Sequence, residues 1–475
     1  MPIMDANAHE TVDLIVRNAN IVTQNEQRDV MAGGAIAIHD GQIIALADDA
    51  VIASHYSAPT TIDARGNPVF PGFVNTHTHL FQASVKGLGE SLALGEWLRQ
   101  VTFPTSMAIN AGEIYLLSLV SCIDNLRSGA TTINEFSYPL ADPLLHDATI
   151  RAIHDSGLRG RYSRGIVDAG ERFGVTAAHI APVELCIAHI RALRAAHQHA
   201  RSLLDVGIAL GIIWGMSEHG LRAVRAAADA TGMRITMHVN EVQYDNECAL
   251  AEWGMATVPM LEHTGLLGAD FLPVHCVHMT DQDIALFARH NVPVSYNAIS
   301  NMILGSGIAP IAAMMRAGIN ICIATDGAGS NNSNDMLESL KFSALLQRAA
   351  CQDASVVSAQ TALDWATRNG AQAMGMLDRV GSLEAGKRAD LFIFNPNTPK
   401  ATPMHDPVAT LVHSSSQANI STVIVDGRVL VDNGRLTQVD EPALLRDAQL
   451  AATALAKRCG TLALHPTQRP RHAKQ

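Results

Sequence analysis

The sequence predicts an α/β protein: a (β/α)₈ TIM barrel carrying a small β-sandwich domain built from both chain ends. Three observations carry this. Both ends are β-rich and contain Asp-Gly hairpin signals. The long middle alternates apolar strand-like runs with helical runs, the rhythm of a parallel barrel. Residues suited to chemistry fall at the downstream ends of those runs, where such barrels collect their catalytic groups.

At the N-terminal end, residues 13–22 are β-branched and roughly alternating, and 35–38 and 42–45 flank Asp40-Gly41, with a further strand near 61–63. At the far end, 390–394 read as a strand, 422–425 and 428–431 flank Asp426-Gly427, and Asn433-Gly434 follows. Residues 1–68 and 387–440 are therefore assigned to one composite β-sandwich, in preference to two unrelated caps, and 69–386 to the barrel. The segment 441–475 is a C-terminal helix, Ala/Leu-rich to 457, and a tail. Barrel strands are expected at 69–74, 130–133, 205–213, 234–237, 271–274, 292–295 and 320–324, and helices at 220–230, 281–290 and 310–317. A doubly wound sheet is the competing fold; it is disfavoured because no GxGxxG opens a helix here.

Composition narrows the function. A chain of 475 residues exceeds one ordinary domain, and 48% hydrophobic with 17% charged residues supports a buried core. The formal net charge is −11, and the only basic cluster is the weak one at Arg469, Arg471 and Lys474, which argues against a nucleic-acid partner. Seven scattered cysteines, none in a CxxC pair, do not suggest a disulfide framework. The segment 1–10 lacks the pattern of a signal peptide and no run is long enough to span a bilayer, so a soluble cytoplasmic protein without membrane partners is expected.

His77 and His79 follow the first barrel strand, and an i, i+2 pair on extended chain turns both rings to one side. His238 and Asp326 end two later strands. Each alone is unremarkable: an HxH arises by chance, His238 fits a core histidine, and Asp326 fits a helix cap. Together, in order at strand ends, three histidines and a carboxylate make a nitrogen/oxygen site for one divalent metal, zinc or iron(II). Glu241, three residues after His238, suits a proton shuttle, although it also fits a helix N-terminal Glu. His275 ends another strand and suits polarisation of the attacked carbon's substituent or steadying of the water; His278 competes and is less favoured because it lies farther on. Cys276 points to the opposite face. His146, His189, His197, His219 and His263 read as surface residues.

Pro71-Gly-Phe-Val-Asn-Thr-His-Thr-His79, His238-Val-Asn-Glu241, His275, Thr325-Asp326-Gly327 with Ser330-Asn331, and the late run 381–390 resemble the aminohydrolase branch of the amidohydrolase superfamily. That branch holds the cytosine, guanine and S-adenosylhomocysteine deaminases and the s-triazine hydrolases. Thr131-Thr-Ile-Asn-Glu135, Val183-Glu-Leu-Cys186, Ser300-Asn301 and 304–310 look most like the triazine enzymes, atrazine chlorohydrolase and melamine deaminase. The resemblance implies a barrel with a flanking β-sandwich, a mononuclear zinc or iron centre and a homo-oligomer. Some relatives bridge two metals with a lysine on the fourth strand; no lysine lies between Lys86 and Lys341 here, which points to one ion per chain. Gln82, Trp97, Asp245 and Ser330 match substrate-pocket positions, whereas Gly327 stands where the triazine enzymes carry Asn or Asp. Trp97 is expected to stack on the ring, and Gln82 and Asp245 to bond its nitrogens. The expected function is metal-dependent hydrolytic deamination of a small amino-substituted N-heterocycle, of pyrimidine, triazine or purine type. Catalysis is assigned to Glu241, His275 and Asp326. The alternatives are dechlorination or dealkylamination of an s-triazine and, less favoured, cyclic-amide hydrolysis.

Overall fold

The computed structural model describes residues 9–138, 140, 142–199 and 202–464; the start of the chain and the basic cluster at Arg469, Arg471 and Lys474 lie outside the described residues. Eight strands form one parallel sheet in chain order. They are β1 (Phe73–Thr78), β2 (Ala130–Ser137), β3 (Arg159–Ile166), β4 (Leu204–Leu210), β5 (Ile235–Val239), β6 (Phe271–His275), β7 (Val294–Tyr296) and β8 (Ile321–Ile323). Helices including Ala111–Arg127, Val183–His197, Glu218–Thr231 and Asp281–Arg289 separate them. Each helix buries an apolar stripe against the sheet, as Leu221, Val224, Ala227 and Ala228 do on Glu218–Thr231.

The seam between β1 and β8 is closed by side chains as well as backbone. Thr325 N–H donates to Asn75 Oδ1 at 3.1 Å and Asn75 Nδ2 donates back to Thr325 Oγ1 at 2.8 Å. Asp326 N–H then donates to His77 O at 3.1 Å. The seam therefore ends on two of the residues that the sequence assigns to a metal.

Both chain ends build one nine-stranded sheet. At its centre Pro68–Pro71 runs antiparallel to Leu391–Phe394. Period-two alternation divides its two faces: Leu391, Ile393 and Ile424 pack with Leu14, Val16 and Ile36, whereas Phe392, Phe394 and Val423 join the barrel core. The Asp-Gly signals are the hairpin turns, with φ of 46° and 71° at Asp40-Gly41 and 52° and 75° at Asp426-Gly427. The two tips touch, since a Cβ on Gly427 would lie 2.9 Å from Gly41 Cα.

Two strand expectations are corrected. The run 69–74 is two strands, one in the end sheet and one in the barrel, parted at Gly72. A Cβ on Gly72 would lie 2.1 Å from Thr131 Oγ1, so the chain crosses between sheets where only glycine fits. Strand β3 was not anticipated, because Arg159, Arg161 and Arg164 break its apolar pattern. All three are buried. Arg159 donates twice to Asp390, at 2.9 Å each, and to Asp426 at 2.7 Å, tying the barrel to the end sheet. Asp390 closes the late run 381–390, which gives part of that motif a structural reason. Asp390→Ala would leave Arg159 without its bidentate partner in the interior. It is expected to destabilise the fold by about 3–5 kcal/mol, read as a lowered midpoint of thermal or urea unfolding.

Candidate active site

The five residues expected from the strand ends meet at one end of the barrel. His77 Nε2 lies 3.2 Å and His79 Nε2 3.4 Å from Asp326 Oδ1, and His79 Nε2 lies 3.3 Å from His238 Nε2. Candidate metal-ligating atoms converge in two overlapping sets, His77, His79 and His238, and His77, His275 and Asp326. Strand β1 carries His77 within it, and His238 is the fourth of the five residues of β5. His275 and Asp326 adopt φ of 73° and 60°, a left-handed conformation costly for residues with a Cβ, at the point where strand gives way to loop.

Hydrogen bonds behind the rings fix their tautomers. His79 Nδ1 lies 2.7 Å from Phe136 O, and His238 Nδ1 2.6 Å from Gly211 O. A carbonyl only accepts, so each Nδ1 carries the proton and each Nε2 presents a lone pair. Burial depresses all three imidazoles, His77 to about 4, His79 to about 3 and His238 to about 3, so each is neutral near pH 7. Burial alone would raise Asp326, but the close approach of His77, His79 and His275 holds its carboxyl well below the usual range. Its Oδ2 accepts from Ser300 Oγ at 2.6 Å and Ser330 Oγ at 2.9 Å, which leaves Oδ1 facing the histidines.

Imidazole lone pairs of His79 and His238 and one carboxylate thus crowd together, and both His77 nitrogens are buried without a hydrogen-bond partner among the described residues. Acceptors so crowded repel one another unless a cation sits among them. The residues present therefore fit a divalent ion with nitrogen/oxygen preference.

A cavity opens over this cluster. Glu241 lines it, with Oε2 3.5 Å from His275 Nε2 and Oε1 accepting from Ser306 Oγ at 3.3 Å. Burial pushes its carboxyl up to about 7, with His275 opposing. His275 Nδ1 lies 2.8 Å from Asn301 Oδ1, an acceptor that orients the ring. The competitor His278 turns away and meets Ser306 O at 2.9 Å.

Of the expected substrate contacts, Gln82, Trp97 and Ser330 line the cavity. A Cβ on Gly327 would lie 1.9 Å from Gln82 Oε1. The glycine that departs from the triazine pattern is thus the one that admits the Gln82 amide. Asp245 is a correction. Its Oδ1 accepts from Trp214 Nε1 at 3.0 Å and its Oδ2 from Glu241 N–H at 2.9 Å, and it is not among the lining residues. It holds the backbone of Glu241 rather than a ligand. His146 is a second correction: it is buried between Tyr162 Oη and Leu140 O because its helix face turns inward.

Sequence reasoning missed Phe136, Tyr138 and His179, which also line the cavity. Phe136 follows Glu135 in the Thr131–Glu135 motif, the one signal that pointed there. Glu135 itself is buried, accepts from Leu80 N–H at 2.8 Å, and is pushed up to about 8 by burial, with that bond opposing. Its folded value lies above the ordinary value of 4.5. The folded chain therefore holds an extra proton between those values, and this group's contribution to stability falls as pH rises through them. Glu135→Gln keeps an oxygen for Leu80 without a charge. Its unfolding midpoint is expected to improve relative to the native chain on going from pH 5.5 to pH 8.

Residues 69–430 match the model of the Amidohydrolase family. A 5-methylthioadenosine/S-adenosylhomocysteine deaminase of Desulforudis audaxviator is 34% identical, over 93% of this chain and 99% of that protein. A 5'-deoxyadenosine deaminase of Methanosarcina acetivorans is 33% identical, over 94% and 99%. Among solved structures, an adenosine deaminase from Xanthomonas campestris with bound zinc superposes with a TM-score of 0.88 at 26% identity, covering 95% of this chain and 100% of that one. Atrazine chlorohydrolase from Arthrobacter aurescens shares the fold, with a TM-score of 0.86 at 24% identity over 92% of this chain and 100% of that one. The seam-closing Asp326, the histidine cluster and the family match over most of the chain lead to one conclusion: this protein belongs to the amidohydrolase family.

Proposed function

We propose that this chain is a metal-dependent aminohydrolase that replaces the amino group of a small N-heterocycle by oxygen and releases ammonia. The observation that carries the reading is Glu241, a carboxyl poised near neutrality in the same cavity as the His77, His79, His238 and Asp326 cluster. The names of the relatives, deaminases of 5'-deoxyadenosine and related nucleosides, favour a purine-type ring within the pyrimidine, triazine and purine classes.

His77, His79, His238 and Asp326 would hold one divalent ion per chain; zinc is proposed because the Xanthomonas neighbour carries it, and iron(II) is the alternative the same donors admit. When bound, the ion would supply a water of lowered pKa, able to react near pH 7. Glu241 takes that water's proton as its oxygen adds to the ring carbon bearing the amino group. It then delivers the proton to the departing nitrogen, so ammonia leaves; the remaining O–H proton passes to the adjacent ring nitrogen and a ring carbonyl results. His275, oriented by Asn301, steadies the water and the amino-bearing carbon's substituent. Trp97 supplies a flat apolar surface for the ring, and Gln82 and Ser330 its polar contacts.

Among the described residues no single helix is long and apolar enough to cross a membrane, and the seven cysteines are all unpaired, which suits a reducing compartment. A cytoplasmic homo-oligomer acting on a small molecule is the corresponding proposal. The test is an ammonium-release screen of zinc-reconstituted protein over 5'-deoxyadenosine, aminopyrimidines and aminotriazines. Release of chloride or alkylamine without ammonium would replace deamination by the triazine-hydrolase chemistry.

A further inference from the structure

One wall of the cavity carries a polar group that the reaction above does not use. His179 ends the short turn Ala177–His179, in the connection after β3, and lines the cavity at 6% exposure. Its Nε2 lies 3.0 Å from Ser106 Oγ on the helix Phe103–Ala108. Ser106 has a single hydroxyl proton, which it donates to Phe103 O at 3.0 Å. Ser106 therefore accepts from His179 Nε2–H, and the tautomer so fixed leaves Nδ1 a bare lone pair. That Nδ1 is buried without a partner among the described residues. Burial also holds the imidazole below its ordinary range, so the ring is neutral. A buried acceptor left unmade costs about 1–3 kcal/mol, and a group of this kind in a cavity wall calls for a partner that the described residues do not supply.

The surroundings restrict that partner. Leu98, Phe103, Val175 and Ile212 are among the apolar residues that line the cavity, and the Phe103 ring lies 5.1 Å from His179. No Lys or Arg occurs among the described lining residues, so an anionic group would enter without a counter-charge.

We propose that His179 is a specificity-determining substrate contact, its Nδ1 accepting one N–H or O–H from an uncharged, otherwise apolar appendage of the heterocycle. This rests on the proposed function for the identity of the ring, and on the cavity alone for the appendage. Two probes test it: an amino-azine bearing a secondary alkylamino group, and the same compound methylated at that nitrogen. Binding is measured by titration calorimetry on zinc-loaded protein in a Glu241→Gln background, where neither probe should turn over. The N–H probe is expected to bind at least ~10-fold tighter, the lower part of what an unmade buried hydrogen bond costs. His179→Phe should bring the ratio to about one, and His179→Gln, which restores an amide acceptor, should recover part of it. Ser106→Ala should lower the ratio by releasing the tautomer, and it decides the matter if His179→Phe does not fold. The proposal is overturned if the unsubstituted His179 protein binds both probes equally or neither, or if the ratio survives both His179→Phe and Ser106→Ala. Ammonium release by the protein with Glu241 intact is scored separately. Its absence removes the deaminase reading and leaves the binding ratio to decide on His179.

Discussion

Glu241→Gln is expected to lower kcat by about 10²–10⁴-fold, the range ascribed to a positioned general acid–base group. The substitution keeps the shape of the side chain and an oxygen for Ser306 Oγ but removes the ability to take and return a proton. Burial pushes the native carboxyl up to about 7, which matches a group that must accept a proton and give it back near neutral pH. Metal content should stay at the native level, because Glu241 is not among the converging ligand atoms. Substrate affinity should change far less than kcat. Steady-state kinetics with metal analysis of the same sample checks this, and an unchanged kcat would remove Glu241 from the reaction.

The second large effect is expected at His77. It belongs to both sets of converging ligand atoms, and neither of its nitrogens has a hydrogen-bond partner among the described residues. His77→Ala should weaken metal binding beyond the ~10–100-fold contributed by an outer partner of a ligand. Activity should fall with it and recover in part when the metal concentration is raised. His278→Ala is the contrast: its Nε2 is bonded to Ser306 O, outside the cluster, so metal content should not change. A His77→Ala protein that kept its metal through chelation would contradict the ligand assignment.

The sequence carried the barrel and the cluster because both are written locally. Strand ends are marked by apolar runs that stop, and His77, His79, His238, His275 and Asp326 stand at those stops. The Asp-Gly turns at Gly41 and Gly427 were legible for the same reason, since their conformation is set by the residues themselves. What escaped was set across the fold. Strand β3 is built on Arg159 and Arg161, whose charges are tolerable only because Asp390 and Asp205 meet them. Asp245 has the spacing of a ligand-facing group, yet Trp214 Nε1 and the Glu241 N–H occupy its oxygens. His146 lies on a helix whose inward face only tertiary packing decides. His179 carried no motif at all: its tautomer depends on Ser106, 73 positions earlier. Gly327 was visible as a departure from the triazine pattern, but its consequence, room for the Gln82 amide, needed both loops in place.

The account depends most on one claim, that a single ion held by His77, His79, His238 and Asp326 works with Glu241 to release ammonia. The direct measurement is ammonium formed per ring-carbonyl product by the native chain, before chelation, after chelation and after return of one equivalent of zinc. A ratio of one, loss of turnover on chelation and its recovery with the single equivalent are expected. Turnover that persists without metal, or product formed without ammonium, would contradict it.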